Sequence, residues 1–500
     1  MSTTRRALLG GAAALLSAPH PVRAQAGTAL TIGVVSDPVT LDPAFSASFF
    51  ETQVLYNLHE TLLVARPDGS VVPGLAEIAM VDPLRYRLTL RENLTFHDGT
   101  SLDAAAVKAN IDRYTDPATG SIRRADFGPL KEVVVTGPRT VELVLSAAYA
   151  PLPLVLTNRA GMMVSPTAVA RLGADFATQA VGCGPWKLLS WTKNAELVLE
   201  KFAGYWQGAP RHFDRLVYRP LPDETVRLAN LRSGTLQLVD GVPPQAVQGL
   251  SREASVQVAQ MPSLGFNAFA FNCTRKPFDD VRVRRAFAAA VDPEVIQRVV
   301  YFGTGRVSHG PLSPAVPWAF DEAQKGIPSD AARAKAMLAE TGATAPVPVV
   351  VTVTNSPQMV RIAQVLQAQA GAAGFKVEVR QIDPTSLITV LRSRDFDLCM
   401  APWSGRYDPD GNTFNYFTKG GPNNFAGFDA PEVTALLEKA RSEADRAARA
   451  ALYGEAQGKL VDAAPMLFLH FDAILQASLA RLRWTQYPDG VFRLFDAVPV

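Results

Sequence analysis

Cysteine is scarce in this chain, with Cys183, Cys273 and Cys399 the only three among 500 residues. An odd, sparse set makes no disulfide framework, and its spacing contains no CxxC site. The three read as small buried hydrophobes, with a bridge between one pair left open. Histidine is scattered at positions 20, 59, 97, 212, 309 and 470, without metal-ligand spacing, so no metal site and no cofactor is expected. There is no GxSxG elbow, no HExxH and no Walker A sequence, so no catalytic residue is nominated. An excess of one charge is missing too. Lys and Arg number 49 against 47 Asp and Glu, a formal +2, which gives no reason to expect nucleic acid or an anionic membrane surface as partner. Internal repeats, low-complexity tracts and coiled-coil heptads are absent, as is any apolar run beyond the N-terminus long enough to span a membrane.

What is present begins at the N-terminus. Thr4-Arg5-Arg6-Ala7-Leu8-Leu9 is a twin-arginine start, an apolar stretch runs from Ala7 to Ala18, and Ala24-Gln25-Ala26 forms an A-x-A site before Gly27. Together these predict a secretory leader at 1–26, cleaved after Ala26 and of twin-arginine type. The run is too short to cross roughly 30 Å of hydrocarbon. No cysteine sits at the cleavage site, so no lipid anchor is expected. Removing 26 of 500 residues leaves about 474, and loss of Arg5, Arg6 and Arg23 takes the formal charge from +2 to −1. That length exceeds one core and predicts two or three domains of a periplasmic, monomeric protein.

Strand and helix signals alternate along the mature chain. Arg85–Leu90 and Thr140–Leu145 show period-two alternation. The clearest stretch is 346–400, where a β-branched run to Thr354 precedes a helical pattern over 358–370. A strand at 376–381, a helix at 386–394 and a strand at 396–400 follow. This β-α-β-α-β order predicts an α/β layer with a largely parallel sheet. Asp292-Pro293 reads as an N-cap with proline at the first helical position. A helix over 223–233 should stop at Gly234, and two helices should fill 431–464. The Pro- and Gly-rich stretches 303–328 and 401–425 read as long loops, a common setting for binding residues.

Two motifs imitate chemistry. Gly182-Cys183-Gly184-Pro185-Trp186-Lys187 looks like a phosphate loop but leads into a strand, so no helix N-terminus stands ready for an anion. His97-Asp98-Gly99 reads as a turn.

The ordered blocks of the chain resemble those of the family 5 extracellular solute-binding proteins, the peptide, dipeptide and nickel-binding group served by ABC importers. The blocks are Leu41-Asp42-Pro43, Gly69 to Glu77, Leu90 to Thr100 with its His97-Asp98-Gly99, and Val181 to Trp186. Phe202 to Trp206, Phe278 to Ala286 and Ala290 to Pro293 complete the series. The resemblance spans the mature chain. It implies an α/β, two-lobed periplasmic-binding-protein type II fold with an additional subdomain in lobe I. Lobe I would comprise 27–264 plus 477–500, with the extra subdomain at about 59–177, and lobe II would comprise 265–476. A solute held between the lobes would pass to ABC permease subunits whose ATPase is a separate chain.

In peptide binders of that family a tryptophan is followed three residues later by an aspartate that pairs with the peptide's α-amino group. The matching loop here is Trp403-Ser404-Gly405-Arg406-Tyr407-Asp408, and Arg406 takes the aspartate's place. A guanidinium repels an ammonium and attracts a carboxylate. These six residues are the expected ligand contacts, for a peptide or a small carboxylate-bearing solute. The structural alternative pairs Arg406 with an acid such as Asp408 and packs Trp403 into the core. Other functional readings are a nickel or metal-chelate binder, a ligand-presenting partner of a chemoreceptor, and an exported hydrolase.

Overall fold

A computed structural model describes residues 28–500; the leader and its cleavage site lie outside the described residues. Three sheets organise the chain. The first has seven strands in the order Val256–Pro262, Ala473–Leu479, Leu238–Val239, Ala29–Val34, Arg215–Pro220, Glu196–Lys201 and Trp186–Thr192. The second has six, in the order Arg306–Val307, Met466–Phe471, Asn267–Phe271, Leu398–Met400, Val347–Thr354 and Phe375–Ile382. A four-stranded antiparallel sheet is built from Ala76–Asp82, Arg85–Leu90, Thr140–Leu145 and Leu130–Gly137. No helix among the described residues is long and apolar enough to cross a membrane.

Local chemistry explains these elements. In Arg85–Leu90 the alternation puts Tyr86, Leu88 and Leu90 inside and Arg85, Arg87 and Thr89 outside. Against that sheet the helix Ala104–Thr115 buries Val107, Ile111 and Tyr114, and the Asp103 side chain caps it by accepting from the Ala106 N–H. Val347–Thr354 is almost wholly buried and lies between two parallel neighbours. The helix Pro357–Ala372 starts on a Ser356 cap and turns Ile362, Ala363, Leu366 and Ala370 inward. Beneath it Phe271, Phe278, Phe287 and Phe375 pack ring to ring at 4.7–5.9 Å. Burying each such side chain contributes roughly 1.5–3 kcal/mol.

Two readings of the sequence need correction. The second sheet is mixed rather than largely parallel. Only Leu398–Met400, Val347–Thr354 and Phe375–Ile382 run parallel, while Asn267–Phe271 and Met466–Phe471 join antiparallel from distant parts of the chain. The stretch 401–425 also contains the helix Asp410–Phe417, which begins after Pro409 with Asp410 in its first turn. Its Gly, Asn and Thr content hid it. Elsewhere the sequence reading holds: Pro293–Val299 is capped by Asp292, Glu224–Arg232 ends before Gly234 at φ +78°, and Pro431–Ser442 and Arg446–Ala463 are helices. All three cysteines are free. Gly182-Cys183-Gly184 precedes the strand Trp186–Thr192, and a Cβ at Gly182 would overlap the Leu58 carbonyl oxygen.

The connections between the first two sheets position the site. The chain leaves the first sheet after Pro262 and enters the second at Asn267; it returns between Phe471 and Ala473. These crossings are tied together, since the Ser263 N–H donates to the Asp472 carbonyl at 2.9 Å and Asn267 Nδ2 donates to the Asp472 carboxylate at 2.7 Å.

Candidate functional site

The loop 401–409 leaves the second sheet after Leu398–Met400 and lies on the first crossing. Trp403 and Phe266 exchange backbone hydrogen bonds at 2.9 and 3.0 Å. The approach is so close that two glycines face each other. Gly405 has φ +84° and a Cβ there would overlap Leu264, while a Cβ on Gly265 would overlap the Trp403 carbonyl oxygen. Asn412, fully buried, fixes the loop's shape. Its Oδ1 accepts from Trp403 Nε1 and from the Arg406 N–H, each at 2.8 Å, and its Nδ2 donates to the Arg406 carbonyl at 2.9 Å.

Two cavities meet at Trp403. The larger, of about 350 Å3, lies between the sheets and is lined by Phe49, Phe50, Phe266, Tyr301, Ser404 and Asp472, among others. The smaller, of about 90 Å3, is lined by Tyr149, Asn158, Arg406, Tyr407, Asp408 and Asp410, among others. Two cavities elsewhere, of about 340 and 600 Å3, each draw their walls from one side of the crossings only. At the outer edge of the smaller cavity the Ala150 N–H donates to the Arg441 carbonyl at 2.9 Å, so the two halves of the molecule touch across the cleft.

Charge pairing separates the loop's residues. Asp408 is buried and accepts from Arg449 at 2.8 and 3.1 Å. Asp410 accepts from Arg441 through both oxygens at 2.9 Å. Asp126 takes Arg123 at 2.9 Å. The acids on this cavity's wall are therefore all matched. Arg406 is not: among the described residues no carboxylate lies within salt-bridge distance of it. Its guanidinium stacks 4.5 Å from the Trp403 ring centre and donates to the Gly405 carbonyl at 2.7 Å. The Tyr407 hydroxyl is buried and has no hydrogen-bond partner among the described residues.

Burial lowers the Arg406 pKa from its ordinary value; Asp126 raises it and Arg123 lowers it further. Arg159 is buried, its Nε lacks a partner among the described residues, and burial followed by Arg123 and Arg406 lowers its pKa as well. Arg123 thus disfavours the charge on both Arg406 and Arg159, which also disfavour each other, with Asp126, already paired with Arg123, as offset.

Of the residues nominated from sequence, Trp403 borders both cavities, Ser404 the larger, and Arg406, Tyr407 and Asp408 the smaller, while Gly405 makes the turn. Sequence reading missed Asn412, although it stands only three residues beyond the loop in the helix Asp410–Phe417, and it missed Phe49, Tyr301 and Asp472, which only the fold brings there. No group of three or more His, Cys, Asp or Glu side chains suited to a metal ion occurs among the described residues.

Two α/β halves joined by two crossings, with an aromatic and charged cavity between them, define a two-lobed binding protein. The family model of bacterial extracellular solute-binding proteins, family 5 Middle, matches residues 70–425, and the chain belongs to that family. It is 26% identical over 522 residues to the glutathione-binding protein GsiB of Pectobacterium atrosepticum, covering 99% of each chain. Its fold is similar to that of the periplasmic binding protein DppA of Helicobacter pylori in complex with the peptide STSA. The TM-score is 0.83 at 22% identity, over 95% of this chain and 98% of that one. NikZ of Campylobacter jejuni in complex with Ni(L-His) is similar at TM-score 0.83 and 21% identity, over 94% and 99% of the chains. The fold is the type II periplasmic-binding-protein fold of family 5, and the protein is an extracellular solute-binding protein of that family.

Proposed function

We propose that this protein captures peptides or small carboxylate-bearing, peptide-like solutes in the cavity at Trp403 and delivers them, unconverted, to membrane permease subunits driven by a separate ATPase. The observation that carries this is Arg406, a cation with no carboxylate partner among the described residues, stacked on Trp403 in a wall whose acids are all matched. The GsiB relative, named for binding glutathione, and the peptide complex of DppA agree with such a ligand. Trp403, Ser404, Gly405, Arg406, Tyr407 and Asp408 form the ligand loop, with Asp408 holding its shape through Arg449. Lobe I is the part carrying the seven-stranded sheet together with the four-stranded subdomain, lobe II the part carrying the six-stranded sheet, and 263–266 and Asp472 are the hinge. Driving such a hinge from 1:99 to 99:1 closed takes roughly 5.5 kcal/mol of differential affinity, which contacts from both lobes supply. The leader directs twin-arginine export to the periplasm and is removed after Ala26. Native mass spectrometry of the exported protein tests the whole reading: the expected mass is that of a monomeric chain starting at Gly27, with a carboxylate-bearing solute retained and recovered intact. Steady conversion of bound peptides or carboxylates above a protein-free control overturns it.

A further inference from the structure

The six-stranded sheet ends on an incomplete edge. Its last strand, Arg306–Val307, pairs with Met466–Phe471 only at Phe471 and His470. One further bond follows, from the Ser308 N–H to the Leu469 carbonyl at 3.1 Å. Among the described residues no strand continues along 466–468 on that side, although Met466 and Leu467 are buried. What meets this edge is the cavity of about 340 Å3, lined by Met466, Leu467, Phe468 and Leu469 in succession. Successive strand side chains point to opposite faces, so a cavity that touches four in a row lies against the strand's edge. The strap 325–329 lines the same cavity with all five of its residues. It is neither helix nor strand, and none of its main-chain N–H groups has a hydrogen-bond partner among the described residues. Val291 and Val461 make the remaining wall apolar. A cavity of about 170 Å3 adjoins, sharing Glu294, Val307, His309 and Lys325. On its wall Gln457 is only 4% exposed, and its Oε1 has no partner among the described residues.

We infer that lobe II carries a second binding site, remote from Trp403, which takes a short apolar peptide in extended form as an added strand between 466–469 and the strap 325–329. An unpaired strand edge is a template for another chain. A strand added there gains affinity from main-chain hydrogen bonds and selectivity from side-chain pockets. The strap covers this edge without bonding to it, so the occupant is short enough to lie beneath the strap and not the sheet of another protein. Four edge residues at 466–469 and a cavity near the small end of ligand pockets both suit a peptide of about three or four residues. The charges at the shared wall select a neutral main chain. Glu294 and Lys325 are opposite in sign and without an ion-pair partner among the described residues, while nearby Arg306 and Glu322 pair with each other. The Gln457 amide, donor and acceptor at once, is complementary to a peptide group that reaches the smaller cavity. Every wall named belongs to lobe II, so this site fills without closure of the hinge.

The test uses the full mature protein and the peptide acetyl-Val-Ala-Val-Ala-amide, whose blocked ends offer Arg406 no carboxylate. Calorimetry should give one site per chain. Hydrogen exchange should slow by about tenfold at the amides of 326–329 and 466–468 when peptide stands at about ten times its Kd. The same peptide with an N-methylated backbone keeps the apolar surface and loses the donors. It should bind at least about tenfold more weakly, the scale of two lost hydrogen bonds. Ile327→Trp fills the slot and should abolish binding; where that variant does not fold, Val461→Trp fills it from the helix Arg446–Ala463. Protection confined to 403–408, equal affinity for the N-methylated peptide, or undiminished binding by a folded slot-filling variant overturns the strand site. So does a lack of binding at millimolar peptide. None of these outcomes bears on the carboxylate reading at Arg406, which stands or falls with a free-carboxylate ligand.

Discussion

Arg406 and Arg449 are both arginines of the ligand loop's surroundings, yet they should respond oppositely to removal. Arg449 sits in a buried pair with Asp408, and truncating it leaves that carboxylate buried without its partner. Such a loss costs roughly 3–5 kcal/mol of folding stability. Arg406 has no acid to abandon, its charge is disfavoured by burial and by Arg123, and its chief intramolecular contact is the Trp403 face. Cation–π stacking contributes roughly 0.5–2 kcal/mol, and relief of the uncompensated charge offsets part of it. Arg406→Ala should therefore change apo stability by less than about 1–2 kcal/mol in urea titration. Its effect belongs to binding. A hydrogen bond to a charged group is worth roughly 1.5–3 kcal/mol, so affinity for a carboxylate-bearing peptide should fall by about 10- to 150-fold. Arg406→Lys should recover only part, because an ammonium lacks the planar fork. The C-amidated peptide is the control, and wild type and Arg406→Ala should bind it alike. If folded Arg406→Ala binds the carboxylate with undiminished affinity, or is destabilised as severely as Arg449→Ala, the residue is structural and the anion site is lost with it.

The remaining predictions concern acid and backbone. His59 is buried, donates to the Leu41 carbonyl at 3.0 Å, and burial pulls its pKa down to about 4. The folded state therefore prefers neutral imidazole, so this stability is complete above pH 6.5 and drains as pH falls toward 4, by about 2 kcal/mol at pH 5. Asp240 opposes it: burial raises its pKa to about 6, so protonation between pH 6 and 4 favours the folded state, by roughly 1 kcal/mol at pH 5. Urea titrations from pH 8 to 5 should show a shallower acid loss for His59→Gln and a steeper one for Asp240→Asn; slopes parallel to wild type would contradict both. Gly405→Ala should weaken peptide binding at least about tenfold and lower stability by roughly 1–3 kcal/mol, since φ is +84° and the new methyl meets Leu264; an unperturbed variant would show that the loop does not need this turn.

How far the site could be read from sequence follows from how locally it is encoded. Arg85–Leu90 and the strands and helices of 346–400 were legible because period and caps lie within a few residues of one another. The same holds for Trp403 and Arg406, which stand three apart in one loop. Pairing between distant elements leaves no such trace, and so the second sheet's antiparallel members escaped notice, as did the Asp408–Arg449 pair that disposes of the simplest structural role for Arg406. Asp472 is the instructive case. In the chain it is one acid between two apolar segments, Met466–Phe471 and Ala473–Leu479, with no local pattern that marks it out. Only the fold sets it against Ser263 and Asn267 and beside the cavity that Trp403 closes. Lobe-forming residues answer to periodicity; a residue whose role is to stand where two lobes meet answers to topology, and it becomes visible once both crossings are traced.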